Sequence, residues 1–109
     1  MIAVIVEFKE FEISASAMPR QKLEQNMLEA APLYQAMEGL IRKYYLFTAD
    51  GSTGVAVYLW ESRAAAERVY NGEWLARNSA KFGKPTLTWY DCPMVVDNMS
   101  GEIITSNTT

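Results

Sequence analysis

Histidine is absent from this sequence of 109 residues, and cysteine occurs only once. Histidine is the commonest general base near neutral pH and the usual proximal ligand of heme iron, so another group must fill either role. The single thiol, Cys92, provides neither an internal disulfide nor a zinc ligand set, which is typical of a protein in a reducing cytoplasm. We therefore predict no metal site, and any chemistry must use Tyr, Lys, Arg, Asp, Glu or Asn side chains or a bound cofactor.

Long hydrophobic runs and an excess of basic residues are also missing. No apolar run approaches the roughly 20 residues of a membrane span, and the strand-like IAVIV at residues 2–6 lacks the basic region of a signal peptide. A net charge of -3, with ten scattered Lys and Arg residues, argues against a nucleic-acid partner. The apolar fraction of 50% is ordinary. These features predict one globular, cytoplasmic domain with no nucleic-acid or membrane partner.

An Asp-Gly dipeptide at residues 50–51 lies between two runs of β-branched and aromatic residues, which predicts a β-hairpin. Side chains alternate along a strand, so symmetric closure of the turn assigns each residue to one face. The predicted cross-strand pairs on the first face are Phe47–Gly54, Tyr45–Ala56, Lys43–Tyr58 and Ile41–Trp60. This face mixes large aromatic side chains with very small residues, so it could leave room for a ligand. The second face is a packing surface made of Arg42, Tyr44, Leu46, Val55, Val57 and Leu59.

The remaining pattern predicts helices and strands on both sides of the hairpin. A strand at residues 2–8 precedes a helix that begins near Pro19 and ends or kinks near Ala31, because Pro32 cannot continue it. Ser14 or Ser16 could cap this helix. The elements predicted after the hairpin are a helix capped by Ser62 and broken at Asn71-Gly72, a second helix at 73–82 stopped by Gly83, and extended segments at 86–91 and 93–97.

The predicted order β-α-β-β-α-β is that of a ferredoxin-like α+β sandwich, an antiparallel sheet with helices on one face. Residues 1–98 form this single domain, and the polar residues 99–109 are predicted to be a tail. The second hairpin face then has no cover in the chain itself. An apolar sheet face of that size predicts a C2 homodimer that pairs through the sheets.

The run YLWESRAAAE at residues 58–67, followed by WLAR at residues 74–77, resembles the dimeric α+β barrel monooxygenases. That group includes antibiotic-biosynthesis and heme-degrading enzymes. GLIRKYY at residues 39–45 and YDCPMVVD at residues 90–97 are similar to the small YdhR-like monooxygenases within it. The similarity spans residues 2–98 and implies a dimeric α+β barrel with a pocket between the sheet and the helices.

The resemblance also separates this chain from the heme-degrading relatives. Those enzymes place a tryptophan at the position of Trp60, which implies that Trp60 faces the pocket. They carry a histidine ligand at a place that falls near Asn78 or Ser79 here, and neither side chain replaces imidazole on iron. The first strand also lacks the asparagine that they use. Heme degradation is therefore not expected.

The Lys43–Tyr58 pair is the best candidate for catalysis on the first hairpin face. A buried phenol needs a hydrogen-bond partner, and an ammonium in a partly apolar pocket would favour a phenolate or bind an enolate. The pKa of Lys43 could itself fall on burial. The competing interpretation is that Tyr58 only packs in the core while the Lys43 ammonium extends to solvent at an edge.

Four further residues are candidates for binding a substrate, and packing is the competing interpretation for each. Trp60 would shape the cavity, and Tyr45 could donate a hydrogen bond to a substrate carbonyl. Trp74 and Asn78 lie one helical turn apart, so they could cover one pocket mouth together.

Three charged residues are not assigned to the site. Arg42 is expected in an ion pair on the dimer-facing side. Asp91 and Asp97 lie along an extended segment with no convergent geometry, so both are interpreted as solvated charges.

The resemblance implies a cofactor-independent monooxygenase that acts on an electron-rich aromatic such as a polyphenol, anthrone or quinol. Such a substrate, once deprotonated, can itself reduce dioxygen, so the protein needs an aromatic pocket, a proton acceptor and donors for the oxyanion. The alternative is a non-catalytic dimer that binds a small aromatic ligand in the same pocket. A third reading is a scaffold whose pocket is filled by its own side chains.

Overall fold

The computed structural model describes residues 1–8, 20–49 and 53–106. The predicted caps Ser14 and Ser16, the helix start at Pro19 and the turn at residues 50–51 lie outside the described residues. The strands are β1 (Ile2–Phe8), β2 (Leu40–Phe47), β3 (Gly54–Trp60), β4 (Thr86–Asp91), β5 (Met94–Asp97) and β6 (Glu102–Thr105). The helices are α1 (Arg20–Gln35), α2 (Arg63–Glu67) and α3 (Gly72–Phe82).

The main sheet has four antiparallel strands in the order β2-β3-β1-β4. The core joins the buried face of this sheet to all three helices, through Leu23 of α1, Ala65 and Ala66 of α2 and Trp74 of α3. On β1 the alternating residues Val4, Val6 and Phe8 are the buried ones, as the period of two predicts. The ferredoxin-like α+β fold predicted from the sequence is therefore confirmed.

The hairpin register is as predicted over most of its length and differs at one end. Lys43 pairs with Tyr58, Tyr45 with Ala56, and Phe47 with Gly54, all as expected. The predicted pair of Ile41 with Trp60 is wrong, because the register shifts between Leu40 and Arg42 and places Leu40 opposite Trp60. A β-bulge of this kind inserts one extra residue into one strand. Ile41 is exposed as a result, while Leu40 packs against the core.

Helix α1 continues through Pro32 to Gln35, so of the two predicted outcomes near Ala31, an end or a kink, the end is wrong. Proline removes one intrahelical hydrogen bond, but the backbone N–H of Ala36 still donates to the carbonyl of Pro32 at 3.1 Å. Tyr34, in the last turn, packs against the core. Tertiary packing of this ring outweighs the cost of one missing donor.

The two later helices begin at side-chain caps. Ser62 accepts a hydrogen bond from the Ala65 N–H at 3.1 Å, as predicted. Helix α2 ends at Glu67, earlier than the break predicted at residues 71–72. Asn71 instead caps α3 by accepting from the Trp74 N–H at 3.1 Å. This cap positions Trp74 at the first turn of α3, against the sheet.

The C-terminal residues contain a strand where the sequence predicted only a polar tail. Residues Glu102–Thr105 form β6, which pairs with β5 as a separate two-stranded sheet. The interpretation of Asp97 as a solvated charge is also wrong, because its side chain is buried and forms an ion pair with Arg42. Its carboxylate also accepts from the N–H groups of Met99 at 3.0 Å and Ser100 at 3.4 Å. Asp97 therefore ties the turn between β5 and β6 to strand β2.

We expect Asp97→Asn to lower the free energy of unfolding, because it leaves the Arg42 guanidinium without its counter-charge and removes an acceptor of the Met99 and Ser100 N–H groups. Burial acts to raise the pKa of Asp97, but the N–H donors of Ser100 and Met99 and the Arg42 charge hold it below its usual value. The carboxylate therefore stabilises the fold at neutral pH, and this contribution disappears as the pH falls through its folded-state pKa. The difference between wild type and variant should narrow on acidification.

Urea denaturation of both proteins across a pH series measures this effect. The control is Asp91→Asn, since Asp91 is exposed on β4, and we expect it to change stability by less than about 0.5 kcal/mol. Equal losses for the two variants would show that the Asp97 ion pair contributes nothing.

Candidate functional site

A cavity of about 630 Å³ lies between the β2–β3 hairpin and the helices α1 and α3. Ligand pockets for drug-sized molecules have volumes of roughly 300–1,000 Å³, so an aromatic ligand of several rings has room here. Residues that line it include Leu23, Asn26, Met27, Ala30 and Tyr34 of α1, Lys43, Tyr45, Phe47, Gly54, Ala56 and Tyr58 of the hairpin, and Trp74, Arg77 and Asn78 of α3.

The mixture of small and aromatic residues on the hairpin makes this space, as the sequence predicted. Gly54 and Ala56 are buried opposite Phe47 and Tyr45, and all four residues line the cavity. Larger residues at positions 54 and 56 would fill the same volume.

Lys43 faces the cavity and is enclosed by tyrosine rings. Its Nζ atom lies 3.2 Å from the ring centroid of Tyr34, 4.2 Å from that of Tyr45 and 4.7 Å from that of Tyr58. We call these three residues the tyrosine cage. No carboxylate within the described residues forms an ion pair with Lys43. Burial away from water lowers the pKa of Lys43 to about 7.

Burial shifts the pKa values of two phenols of the cage in the opposite direction, upward. Burial, the largest cause, raises the pKa of Tyr45 to about 12 and moves the pKa of Tyr58 far above its ordinary value. The nearby Tyr34 raises both pKa values further, and its hydroxyl shares a hydrogen bond with Tyr58. Desolvation therefore opposes the phenolate form of Tyr58 that the Lys43–Tyr58 pair suggested. The group in this cavity that can accept a proton near neutral pH is the amine of Lys43.

Trp74 and Asn78 lie side by side on α3 and both line the cavity, as predicted. The Asn78 amide donates to the backbone carbonyl of Trp74 at 2.9 Å, which leaves its own carbonyl oxygen free to accept. The indole of Trp74 is only 2% exposed, and its Nε1 has no hydrogen-bond acceptor among the described residues. A buried donor without a partner costs about 1–3 kcal/mol, so this N–H is suited to a ligand oxygen.

Trp60 lies in the core and not on the cavity wall, contrary to expectation. Its ring is stacked parallel to Tyr58 with centroids 6.1 Å apart, and its Nε1 donates to the Tyr70 hydroxyl at 3.0 Å. The ring of Tyr70 meets both Tyr58 and Trp74 edge to face, at 5.4 Å and 4.9 Å. Trp60 and Tyr70 thus pack against Tyr58 and Trp74 on the side away from the cavity.

Sequence reasoning missed Tyr34 and Arg77 as site residues. Tyr34 lies at helical spacing from Leu23 and Met27, a pattern that by itself indicates only packing on the sheet. Arg77 occurs in the WLAR run, on the same helix as Trp74. Its position three residues after Trp74, on the same helix face, is the signal that could have placed it at the cavity.

Within the described ranges, no three His, Cys, Asp or Glu side chains are arranged to hold a metal ion. None of the helices described here has the length and apolar character that a transmembrane span requires.

The fold and the cavity together define an α+β sandwich with a ligand-sized site beneath its helices. No protein-family model and no curated protein match the sequence, whereas solved structures share its fold. MhuD, solved as a variant with two manganese protoporphyrin IX molecules per active site, is 19% identical with a TM-score of 0.62, covering 90% of this chain and 100% of its own.

Two oxygenases of Streptomyces share the fold as well. SnoaB from Streptomyces nogalater, a cofactor-independent oxygenase, is 14% identical with a TM-score of 0.53, covering 99% of this chain and 94% of its own. The monooxygenase ActVA-Orf6 of Streptomyces coelicolor, in complex with nanaomycin D, is 16% identical with a TM-score of 0.56. The match covers 84% of this chain and 86% of ActVA-Orf6. The chain therefore has the fold of the antibiotic-biosynthesis monooxygenases, as the sequence resemblance predicted. The assignment to the YdhR-like branch stays a prediction.

Proposed function

We propose that this protein is a cofactor-independent monooxygenase that oxidises a small electron-rich aromatic, such as a polyphenol, anthrone or quinol. The observation that carries the proposal is the Lys43 amine in the wall of an aromatic cavity, among tyrosine rings and with no ion pair within the described residues. The likeness in fold to SnoaB and ActVA-Orf6 supports the reaction class.

The mechanism begins with the neutral amine of Lys43, which accepts a proton from the substrate hydroxyl or an activated C–H. The resulting anion gives one electron to dioxygen, and the two radicals combine to form a C–O bond. Cleavage of the O–O bond leaves one oxygen atom in the substrate and releases the other as water, so the substrate supplies all the electrons.

Neutral donors on the cavity wall would stabilise the oxyanion that develops on the substrate. Tyr45 and Tyr58 keep their protons because burial raises their pKa values. The unpaired Nε1–H of Trp74 is a third donor, and Asn78 offers a carbonyl oxygen that can orient a substrate hydroxyl. Preorganised donors of this kind act on charge that exists only after deprotonation. Trp60 has an indirect role in this scheme, since it holds the Tyr58 ring in place.

An oxygen electrode with a panel of hydroquinones and anthrones tests the proposal. We expect oxygen uptake that is proportional to protein concentration and that converts an anthrone to the anthraquinone, or a hydroquinone to the hydroxyquinone, with one water per dioxygen consumed. Heat-denatured protein and added catalase control for autoxidation. Tight binding of panel members without protein-dependent uptake would refute catalysis and favour the alternative, a non-catalytic dimer that binds the same aromatics.

We predict that Trp74→Phe weakens the binding of a quinone or hydroxyquinone about tenfold, because the ligand oxygen loses its indole donor. The free variant should be no less stable than wild type, since no hydrogen bond of the described protein is lost. Isothermal titration and thermal melts measure the two effects. Weakened binding should be absent for a ligand of the same shape without an oxygen acceptor, such as a plain arene. If both ligands lose affinity equally, Trp74 acts only through its shape.

We also propose a homodimer formed through the outer sheet face. Tyr44 and Leu46 are each 47% exposed there, beside the half-buried Val55 and Val57. An apolar strand surface of this kind is suited to a second copy of the same sheet. Sedimentation velocity at micromolar concentration should give a dimer for wild type and a monomer for Tyr44→Lys. Leu28→Lys, at an exposed position on α1, is the control, and a wild-type monomer would exclude the dimer.

A further inference from the structure

We propose that Lys43 also captures carbonyl compounds, by forming a reversible imine with apolar aromatic aldehydes that enter the cavity. This activity is separate from oxidation, because it requires no dioxygen and no electron transfer. It would make the protein an aldehyde-binding as well as an aromatic-binding protein.

The geometry places one primary amine at the wall of an otherwise mostly apolar site. The Nζ atom of Lys43 is held over the rings of Tyr34 and Tyr45, at 3.2 Å and 4.2 Å from their centroids. Lys43 lines the cavity, and no ion pair in the described part of the chain competes for its nitrogen. The lysines at 22 and 84, in contrast, are exposed to solvent. Among these three described lysines, Lys43 is therefore the one that an aromatic ligand in the cavity would contact.

The cavity also suits the rest of an aromatic aldehyde. Gly54 and Ala56 leave space beside the amine, and the tyrosine cage supplies ring faces and edges for stacking. Trp74 of α3 also lines the cavity, and its unpaired Nε1–H is a candidate donor for the carbonyl oxygen. A hydrogen bond to that oxygen polarises the carbonyl toward attack.

The reaction balances without any co-reactant. The lone pair of neutral Lys43 forms a bond to the carbonyl carbon as the C=O π bond breaks, and a proton passes from nitrogen to oxygen to give a carbinolamine. Loss of the hydroxyl group with the remaining nitrogen proton releases one water and leaves a C=N bond. Water is the only by-product, and addition of water reverses the sequence.

Burial away from water favours the neutral, nucleophilic form of the amine. The titratable and charged groups around Lys43 are the phenols Tyr34, Tyr45 and Tyr58, with Glu29 and Arg77 elsewhere on the cavity wall. Burial lowers the pKa of Lys43 to about 7, so about half of it is neutral at pH 7, against roughly one part in a thousand or less for an exposed lysine. The lower basicity reduces intrinsic nucleophilicity, which offsets part of this advantage.

Reductive labelling tests the proposal. The whole protein is incubated at pH 7 with naphthaldehyde and sodium cyanoborohydride, which reduces the imine to a stable secondary amine, and the modified lysines are located by peptide mass spectrometry. We expect Lys43 to be labelled at least tenfold faster than Lys22 and Lys84. A rate equal to or below that of these exposed lysines would overturn the proposal, whatever the variants do.

The matched variant is Lys43→Arg, which retains a cation but has no primary amine. It should lose the fast phase of labelling and keep the slow phase at exposed lysines. If circular dichroism shows that the variant does not fold, the proposal is still tested by the ratio of the labelling rate of Lys43 to that of Lys22 and Lys84 in the wild-type protein. The rate at Lys43 should rise through about pH 7 and then level off, whereas labelling of exposed lysines should keep rising toward pH 10. A merely accessible lysine would not show the early plateau.

Oxygen uptake distinguishes this proposal from the proposed monooxygenase activity. Fast labelling of Lys43 without oxygen consumption would support carbonyl capture and refute the oxygenase. Oxygen consumption without preferential labelling of Lys43 would support the oxygenase and refute carbonyl capture. If both are present, labelling in the presence of cyanoborohydride should abolish oxygen uptake, because the same nitrogen serves both reactions.

Discussion

Replacing Lys43 with methionine is expected to raise the free energy of unfolding at pH 7 by about 2 kcal/mol, although the variant loses its proton acceptor. Moving the pKa of a lysine from 10.5 down to about 7 corresponds to an upper bound of roughly 5 kcal/mol for burying the ammonium. The attraction of the ammonium to the tyrosine cage offsets part of that cost. Methionine fills a similar volume and carries no charge, so the cost disappears.

The effect should depend on pH in one direction. Between pH 7 and 10.5 the unfolded chain binds more protons at Lys43 than the folded chain does, so wild-type stability rises with pH across this window. Methionine does not titrate. The advantage of Lys43→Met is therefore largest at and below pH 7 and vanishes as the pH approaches 10.5.

Urea denaturation at pH 6, 7, 9 and 10 measures this difference, with Lys22→Met as the matched control on the exposed face of α1. The control should show no pH-dependent difference from wild type. A loss of stability in Lys43→Met that is constant across pH would contradict the buried, largely uncompensated ammonium.

The same substitution should reduce oxygen uptake by roughly 10²–10⁴-fold, the range expected for loss of a general base. Binding of the aromatic substrate should change much less, since the ring contacts of the cavity remain. A variant that is more stable, binds and does not turn over is the signature of a residue retained for function at a cost in stability. Unchanged turnover in Lys43→Met would refute the catalytic assignment.

The second large effect is expected for Gly39→Ala, which should lower the free energy of unfolding by about 3 kcal/mol or more. Gly39 has φ = +83°, a conformation that L side chains rarely adopt. A Cβ atom at this position would lie 2.6 Å from the Cβ of Ala65, which is fixed by helix α2. The strained backbone and the clash add, because relief of one does not relieve the other.

Gly83→Ala separates these two contributions. Gly83 has nearly the same φ, +84°, but a Cβ there would meet no atom within 4 Å. We expect that variant to lose about 1–3 kcal/mol from the backbone alone, because φ +84° with ψ 174° is a region that is almost restricted to glycine. Thermal melts of both variants, with Gly39→Ala/Ala65→Gly as a double variant, measure the excess that belongs to the clash. Equal losses at the two glycines would show that α2 moves away freely.

Gly39 also matters for the site. It directly precedes the bulge between Leu40 and Arg42, and its carbonyl accepts from the Glu61 N–H at 2.8 Å. These contacts fix where strand β2 enters the sheet. We therefore expect folded Gly39→Ala to show weaker ligand binding as well, since a shift at the start of β2 would disturb the strand that carries Lys43.

The sequence by itself determined the features that depend on local pattern. The alternation of residues on either side of Asp50-Gly51 specified which face Lys43, Tyr45 and Tyr58 share, because a period of two admits one answer once the turn is placed. The caps at Ser62 and Gly83 followed from the same kind of local chemistry. The order of elements then restricted the fold to a ferredoxin-like sandwich.

Only the tertiary structure decided the features that depend on contacts between distant segments. The packing of Tyr34 carries α1 through Pro32 and completes the cage around Lys43, although no local signal after a proline favours a helix. Burial in that cage, and not the presence of a lysine beside a tyrosine, sets the pKa values of Lys43 and Tyr58. Asp97 is buried for the same reason, since its partner Arg42 lies 55 residues earlier in the chain. Desolvation is a property of the assembled neighbourhood, so the chemistry of this site exists only in the folded chain.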